Sequence, residues 1–514
     1  MERLTSRLQD AWIDGASPHA LLVDAVSGQA VAEASSNGLD LGAALAFART
    51  VGGPSLRALT FAQRGALLKS LSGVLHTHRD ELVDLSRANY GSTRGDAKFD
   101  VDGASATLAY YASVGAKLGD RAVLLDGDAE AIGRSARFVG QHVLVPRQGV
   151  ALHINAFNFP AWGMAEKLAV SLLAGVPALV KPATATALVT WRVVQLWDEA
   201  GLLPPGAVSL LCGSAGDLLD HLAPQDVIAF TGSSDTGRTI RSHAKVIALG
   251  IPVNVEADSL NASVLGPDVE PGEPTFEMFV SDMVRDLTQK AGQKCTAIRR
   301  VFVPTDLLES VRDALADHFE RVVVGDPDAR ETSVGPVSTA AQLRDVNRGV
   351  DALASHFGEL IAAKGDLPEA GFFVRPRVFV TDQGADAPFV HEHEVFGPVA
   401  TVLTWDGDAD AAVAMVAKGG GGLVASVYSD DESWAGRVVL GLAPWHGRIH
   451  WGSKKVADQS PGPGTVLPNL VHGGPGKAGG GEELGGVRGM RFYQQRTAIQ
   501  ADRTLLERVL GPTP

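Results

Sequence analysis

The chain has 514 residues, 45% apolar and 20% charged, with 58 Gly and 27 Pro. That balance fits a folded α/β protein of about two to five domains and excludes a disordered or fibrous chain. Lys plus Arg number 45 against 59 Asp plus Glu, and the formal charge of −14 leaves no electrostatic footprint for nucleic acid or an anionic membrane. Two cysteines, Cys212 and Cys295, exclude a disulfide framework and point to a reducing compartment.

The opening residues MERLTSRLQDAW lack the apolar core of a signal peptide, and the longest apolar run, 168–180, is interrupted by Ser, Gly and Pro, so a cytoplasmic protein without a membrane span is expected. Leu67, Leu68, Leu71, Val74, Leu75, Leu82 and Leu85 recur at helical spacing, which predicts one or two amphipathic helices over 59–89, ended by Gly91. Residues 135–148 read as a strand standing apart. From Val150 short apolar runs follow at 150–154, 177–182, 208–213, 227–232 and 251–256, with helical stretches at 162–173, 187–200, 215–222 and 236–244 between them. Strands alternating with helices predict a doubly wound parallel sheet, whose ligands lie at the carboxyl ends of the strands. HINAFNFP, KPATAT, CGS, FTGSS and VEADS all fall there. A second α/β region begins near Ser259, with strands at 301–304, FFVRPRVFV and VATVLTW and a helix over 307–322. The Gly- and Pro-rich stretch 460–489 reads as a long loop. The tail 491–501 is another strand outside the sheets, and unpaired edges of this kind invite pairing between subunits.

Several of these segments carry chemically capable residues. Cys295 lies in KAGQKCTAIRR among Lys290, Lys294, Arg299 and Arg300, beside small Gly292. Positive neighbours lower a thiol from its usual pKa of about 8.5 toward the nucleophilic range; a buried structural cysteine is the competing reading, and the one given to Cys212. Glu256 closes a strand at the mouth of the sheet, as a general base or as a solvated strand end. Asn158 could donate to an oxyanion or simply make a turn. Lys181 could reach a phosphate or ribose. FTGSSDTGRT places Gly232 and Gly237 at the glycines of a Walker A pattern with Arg238 in place of its Lys. Such a turn before a helix binds an anion, but phosphotransfer remains the weaker reading because no Mg²⁺-binding Asp accompanies it. HEHE at 391–394 lacks the spacing of a helical zinc pair, and no metal is expected.

In this order, NAFNFP, KPAT, FTGSSDTG, VEADS, GQKC and EVFGPV resemble the aldehyde dehydrogenase superfamily across nearly the whole chain. The resemblance implies Cys295 as nucleophile, Glu256 as base, Asn158 with the Cys295 amide as oxyanion hole, and Lys167 in proton relay. It implies cofactor contacts from Lys181, Ser233, Glu394 and Phe396, with Thr184, Gly213, Gly232 and Gly237 in the same site. The implied fold is α/β, with a Rossmann-type parallel-sheet cofactor domain (1–132 and 149–258), an α/β catalytic domain (259–470) and a small β oligomerisation element (133–148 and 490–514). The two outlying strands point to a homodimer, a tetramer being the alternative. The implied reaction takes an aldehyde to an acid through a thiohemiacetal and a thioester. Three departures stand out. Ala183-Thr184 replaces the family's common Ser-Glu after Lys181-Pro182, which predicts a preference for NADP, with NAD as the alternative. Ala257-Asp258 follows the glutamate in place of Leu-Gly-Gly, and HGGPGKAGGGEELGG at 472–486 replaces a Phe-Gly-Gly segment. Together they resemble a branch acting on CoA-linked semialdehydes of aromatic-acid degradation. A CoA-acylating dehydrogenase, which needs no general base, is the alternative within the family; a non-catalytic homologue is weakened by the presence of Cys295, Glu256 and Asn158.

Overall fold

A computed structural model of the chain describes residues 1–510; the last four residues of the expected oligomerisation element, 511–514, lie outside the described residues. Two seven-stranded sheets organise the α/β chain. The first contains β1 (Ser6–Leu8), β2 (Ala11–Ile13), β3 (Ala151–Ile154), β4 (Ala178–Lys181), β5 (Val208–Leu210), β6 (Val227–Thr231) and β7 (Val253–Glu256), in the order β7-β6-β3-β4-β5-β1-β2. The five strands from β7 to β5 are parallel, and β1 and β2 extend the sheet antiparallel. Runs such as VIAFT are apolar along their length because helices cover both faces, so alternation gives way to continuous burial. Helices Phe61–Thr77, Arg94–Leu118, Trp162–Ala174 and Ala187–Glu199 pack a common core with this sheet.

The second sheet contains β8 (Ala262–Leu265), β9 (Arg300–Pro304), β10 (Gly358–Ala362), β11 (Arg377–Thr381), β12 (Val399–Trp405), β13 (Gly422–Tyr428) and β14 (His446–Gly452), in the order β10-β11-β12-β9-β8-β13-β14. Only β10 runs antiparallel to its neighbour. This sheet has its own core with helices Pro274–Thr288 and Leu308–Phe319. No helix of the described residues is long and apolar enough to cross a membrane.

Four expectations need correction. Residues 215–222 form only a 3-10 turn, Leu218–His221, since two Asp and Gly216 weaken a helix there. The stretch 236–244 is two helices, Ser234–Arg241 and Ala244–Leu249, separated where His243 caps the second. The strands outside the sheets are not left unpaired: Phe138–Pro146 and Gln494–Asp502 pair antiparallel along their full length, with Leu124–Leu125 and Glu130–Ala131 on the far side. Finally, 460–489 is not merely a loop. It holds a hairpin of β15 (Val471–Gly474) and β16 (Gly481–Leu484), in which His472 faces Glu483. Glycine hides this hairpin from a periodicity reading but is needed by it: a Cβ on Gly479 or Gly481 would lie 2.3 or 2.4 Å from the Val255 carbonyl oxygen of β7.

Candidate active site

The carboxyl ends of the first sheet converge on the second. Glu256 ends β7 in register with Thr231, the last residue of β6. The turn after β3 carries Asn158, which is buried and donates from Nδ2 to the Gln293 carbonyl at 3.0 Å. Asn158 is thereby fixed beside the segment that carries the thiol. That segment follows helix Pro274–Thr288 through a tight left-handed run, with φ of 54° at Lys290, 50° at Ala291 and 68° at Gly292. Asn261 holds its far side, donating to the carbonyls of Cys295 and Ala297 at 2.8 Å each. Gly292 is required twice over, since its φ is left-handed and a Cβ would stand 2.3 Å from the Gly397 carbonyl oxygen. Gly292→Ala is expected to cost at least about 2 kcal/mol, read as a lowered urea midpoint with unchanged slope.

The cations expected around the thiol are turned elsewhere. Lys290 lies over the Phe159 and Tyr90 rings at 4.4 and 5.0 Å. Lys294 pairs with buried Asp286 at 2.6 Å, Arg299 with Glu394 at 3.1 Å, and Arg300 donates to the Leu260 and Val416 carbonyls. Sequence adjacency misled because successive side chains on this irregular segment point in different directions. Cys295 instead faces His472, with Sγ 3.9 Å from Nε2, and the same nitrogen is 3.1 Å from Glu256 Oε1. One side-chain nitrogen, oxygen or sulfur atom from each of these three residues lies within 4.8 Å of those of the other two. Burial and the Glu256 charge push the Cys295 thiol well up, opposite to the direction expected from its sequence neighbours. Burial would also raise Glu256, but the charges of His472, 3.1 Å away, and of Lys167 outweigh it and hold this carboxyl below its usual range. For His472, burial opposes the charged ring while Glu256 and Glu166 favour it, and the balance is a raised pKa.

Lys167 is reached through Thr231. Its ammonium donates to Thr231 Oγ1 at 2.6 Å and to Glu483 at 3.1 Å, and the Thr231 hydroxyl lies 3.4 Å from Glu256. Asn254 holds the other Glu483 oxygen at 3.0 Å. Burial foremost pushes Glu166, one residue before Lys167, up to about 8. His472, Glu483, Glu166, Thr231 and Asn261 were not singled out from sequence. For the first two the only signal was the unusual stretch 472–486, whose glycines drew attention away from its His and Glu.

The other predicted residues fall into two groups. Lys181, Thr184 and Gly213 meet beyond β4 and β5, where the Thr184 hydroxyl donates to the Gly213 carbonyl at 2.9 Å and Lys181 Nζ to Pro182 at 2.9 Å. Ser233 caps the helix after β6, its Oγ accepting from the Thr236 amide at 3.3 Å, while Gly237 lets that helix close on Val255. The Gly232 amide donates to the Glu256 carbonyl at 3.1 Å, and Asp258 takes up the Ser234 amide at 3.2 Å. Glu394 accepts from the Ser259 amide and Arg299, whose guanidinium lies 5.3 Å from the Phe396 ring. Phe396 in turn meets Phe157 edge-on at 5.8 Å. A capped helix start and a strand-end ammonium on one side, and a carboxylate and an aromatic ring near the thiol segment on the other, are a donor set that fits a dinucleotide.

The sequence model of the aldehyde dehydrogenase family matches residues 12–499. The chain is 44% identical to the 3,4-dehydroadipyl-CoA semialdehyde dehydrogenase of Aromatoleum evansii, over 92% of this chain and 93% of that protein. It is 30% identical to the hydroxyisobutyraldehyde dehydrogenase of Mycolicibacterium austroafricanum, over 82% of this chain and 78% of the relative. In fold it superposes on the NAD-dependent aldehyde dehydrogenase of Sinorhizobium meliloti with a TM-score of 0.85 at 23% identity, covering 100% of this chain and 96% of that one.

Proposed function

Since the chain belongs to the aldehyde dehydrogenase family, we propose that it oxidises 3,4-dehydroadipyl-CoA semialdehyde to the acid, with NADP, in aerobic benzoyl-CoA degradation. The observation that carries the chemistry is the approach of Cys295 and Glu256 around His472, all three within 4.8 Å. The substrate reading rests on the 44% identity to a dehydrogenase of that name. Another semialdehyde of aromatic degradation is the alternative. The protein acts as a cytoplasmic homodimer, the partner pairing along the edge strand Gln494–Asp502.

Cys295 attacks the aldehyde carbon, and Asn158 Nδ2, turning from the Gln293 carbonyl, donates with the Cys295 amide to the oxyanion. Lys181 and the Ser233-capped helix start would hold a dinucleotide, with Glu394 and Phe396 toward its reactive end, and its nicotinamide would supply the hydride acceptor for this carbon. Glu256 then takes a proton from the water that cleaves the thioester. Thr231, Lys167 and Glu483 give that proton a hydrogen-bonded route away from the thiol. Glu256 is redundant in a CoA-acylating enzyme, so its place beside the nucleophile favours hydrolysis. Phosphotransfer at Gly232 to Thr239 is disfavoured, because Arg238 is engaged by Asp235 at 2.6 Å.

The test is aldehyde-dependent formation of reduced nicotinamide with the CoA semialdehyde and with a simple aliphatic aldehyde. Oxidation of the aliphatic aldehyde alone would remove the substrate reading and keep the reaction. For the cofactor, the Thr184 proton is given to Gly213, so the NADP preference rests on the lack of a repelling carboxylate and on Lys181. Thr184→Glu is expected to lower kcat/KM for NADP at least about tenfold while sparing NAD. Equal or better turnover of the wild type with NAD would overturn the preference.

A further inference from the structure

The position where the family commonly carries Phe is His472 here, and its ring stands between the two reacting groups. Nε2 is in hydrogen-bond contact with Cys295 Sγ at 3.9 Å. It is nearer to Glu256 Oε1, at 3.1 Å, yet that oxygen has no aligned hydrogen-bond partner. The ring is buried, and β15 holds it opposite Glu483 of β16. Facing it are Glu256 from β7, Cys295, Glu166 from helix Trp162–Ala174 and Arg448 from β14, while Glu394 adds a further negative charge near the thiol. A thiolate formed here would join Glu256 in a buried space where, among the described residues, no Lys or Arg is ion-paired to either, although the charges of Lys167 and Arg448 act on Glu256 and the thiol from further away. Two like charges at such a distance are strongly unfavourable unless a cation lies between them.

We propose that His472 is the counter-ion of the Cys295 thiolate, its Nε2–H stabilising negative charge first on Glu256 and then on sulfur. In the activating step the S–H bond breaks, the proton bonds to the Glu256 carboxylate, and the imidazolium keeps both of its ring protons. Negative charge moves from oxygen to sulfur while the charge of the three groups together is unchanged. The sulfur pair then forms the C–S bond to the aldehyde carbon as the C=O π pair moves onto oxygen. Burial and the charges of Glu256, Glu166 and Glu394 push the Cys295 thiol up, and the His472 ring, 3.9 Å from Sγ, is the cation placed to oppose them.

The inference rests on Cys295 being the nucleophile, but its test uses neither aldehyde nor cofactor. The alkylation rate of Cys295 by iodoacetamide is measured from about pH 6 to 10 in the full chain, in His472→Gln and in His472→Phe, with Cys295→Ala as the blank. Both His472 variants are expected to show the midpoint moved up by about one pH unit or more, an about tenfold slower alkylation at neutral pH. Unchanged profiles in both would overturn the proposal. So would a wild-type profile in His472→Gln with a loss only in His472→Phe, which would make the ring a neutral hydrogen-bonding prop. Should either variant fail to fold, His472→Ala with added imidazole replaces it: restored alkylation is expected, and failure to restore it in a folded protein counts against the counter-ion. Absence of aldehyde oxidation by the wild type would instead defeat the functional reading, and the two failures are separable.

Discussion

Cys295→Ala is expected to abolish aldehyde-dependent NADP reduction, by about 10⁴-fold or more in kcat, while leaving cofactor affinity within about twofold. The reason lies in the division of labour. In the proposed reaction the thiol supplies the covalent bond that turns a bound aldehyde into a hydride donor, and no second thiol stands at this site among the described residues. Cys212, the other thiol of the chain, is fully buried in the first core and pushed up to about 12 by burial, so it gives no substitute. Reduced-nicotinamide absorbance measures the loss, and fluorescence titration with NADPH shows that the cofactor site persists. Residual turnover within a hundredfold of wild type would remove Cys295 from the nucleophile's role.

Glu256→Gln separates the two halves of the reaction. The amide keeps the size of the carboxylate but cannot take a proton from water, so thioester hydrolysis is expected to slow by about 10² to 10⁴-fold. Hydride transfer from the thiohemiacetal needs no such base. A rapid burst of about one reduced cofactor per subunit should therefore precede a near halt, with the acyl-enzyme visible as a mass increase on Cys295. Normal steady turnover in this variant would defeat the hydrolytic reading and favour release to CoA.

The parallel strands of the first sheet were legible because buried parallel strands write continuous apolar runs, and Lys181 and Glu256, at their carboxyl ends, fall at the mouth of the sheet by construction. Cys295 and Asn158 were legible as motif residues, but the bond from Asn158 to the Gln293 carbonyl, two residues before the thiol, was not, since it depends on a fixed approach of segments 135 residues apart. The electrostatics were misread. Lys290, Lys294, Arg299 and Arg300 are near Cys295 along the chain yet satisfied by Asp286, Glu394, backbone carbonyls and aromatic faces. Their side-chain directions follow from left-handed backbone that no periodicity announces. The hairpin of β15 and β16 was missed because its strands are four residues each and made largely of Gly and Glu, against β propensity. Tertiary packing on Val255 decides its conformation, and that is invisible one segment at a time.

That hairpin also imposes an order in time. Chain elongation delivers Glu256 and Cys295 well before His472, which lies 177 residues after the thiol. At about 5 to 20 residues per second, the interval is roughly 10 to 35 seconds. During it the emerging chain carries the Cys295 thiol without the ring that later lies against it, and without Glu483 to receive Lys167. Arrival of β15 and β16 therefore completes the charge balance of the site last, after a delay fixed by sequence distance.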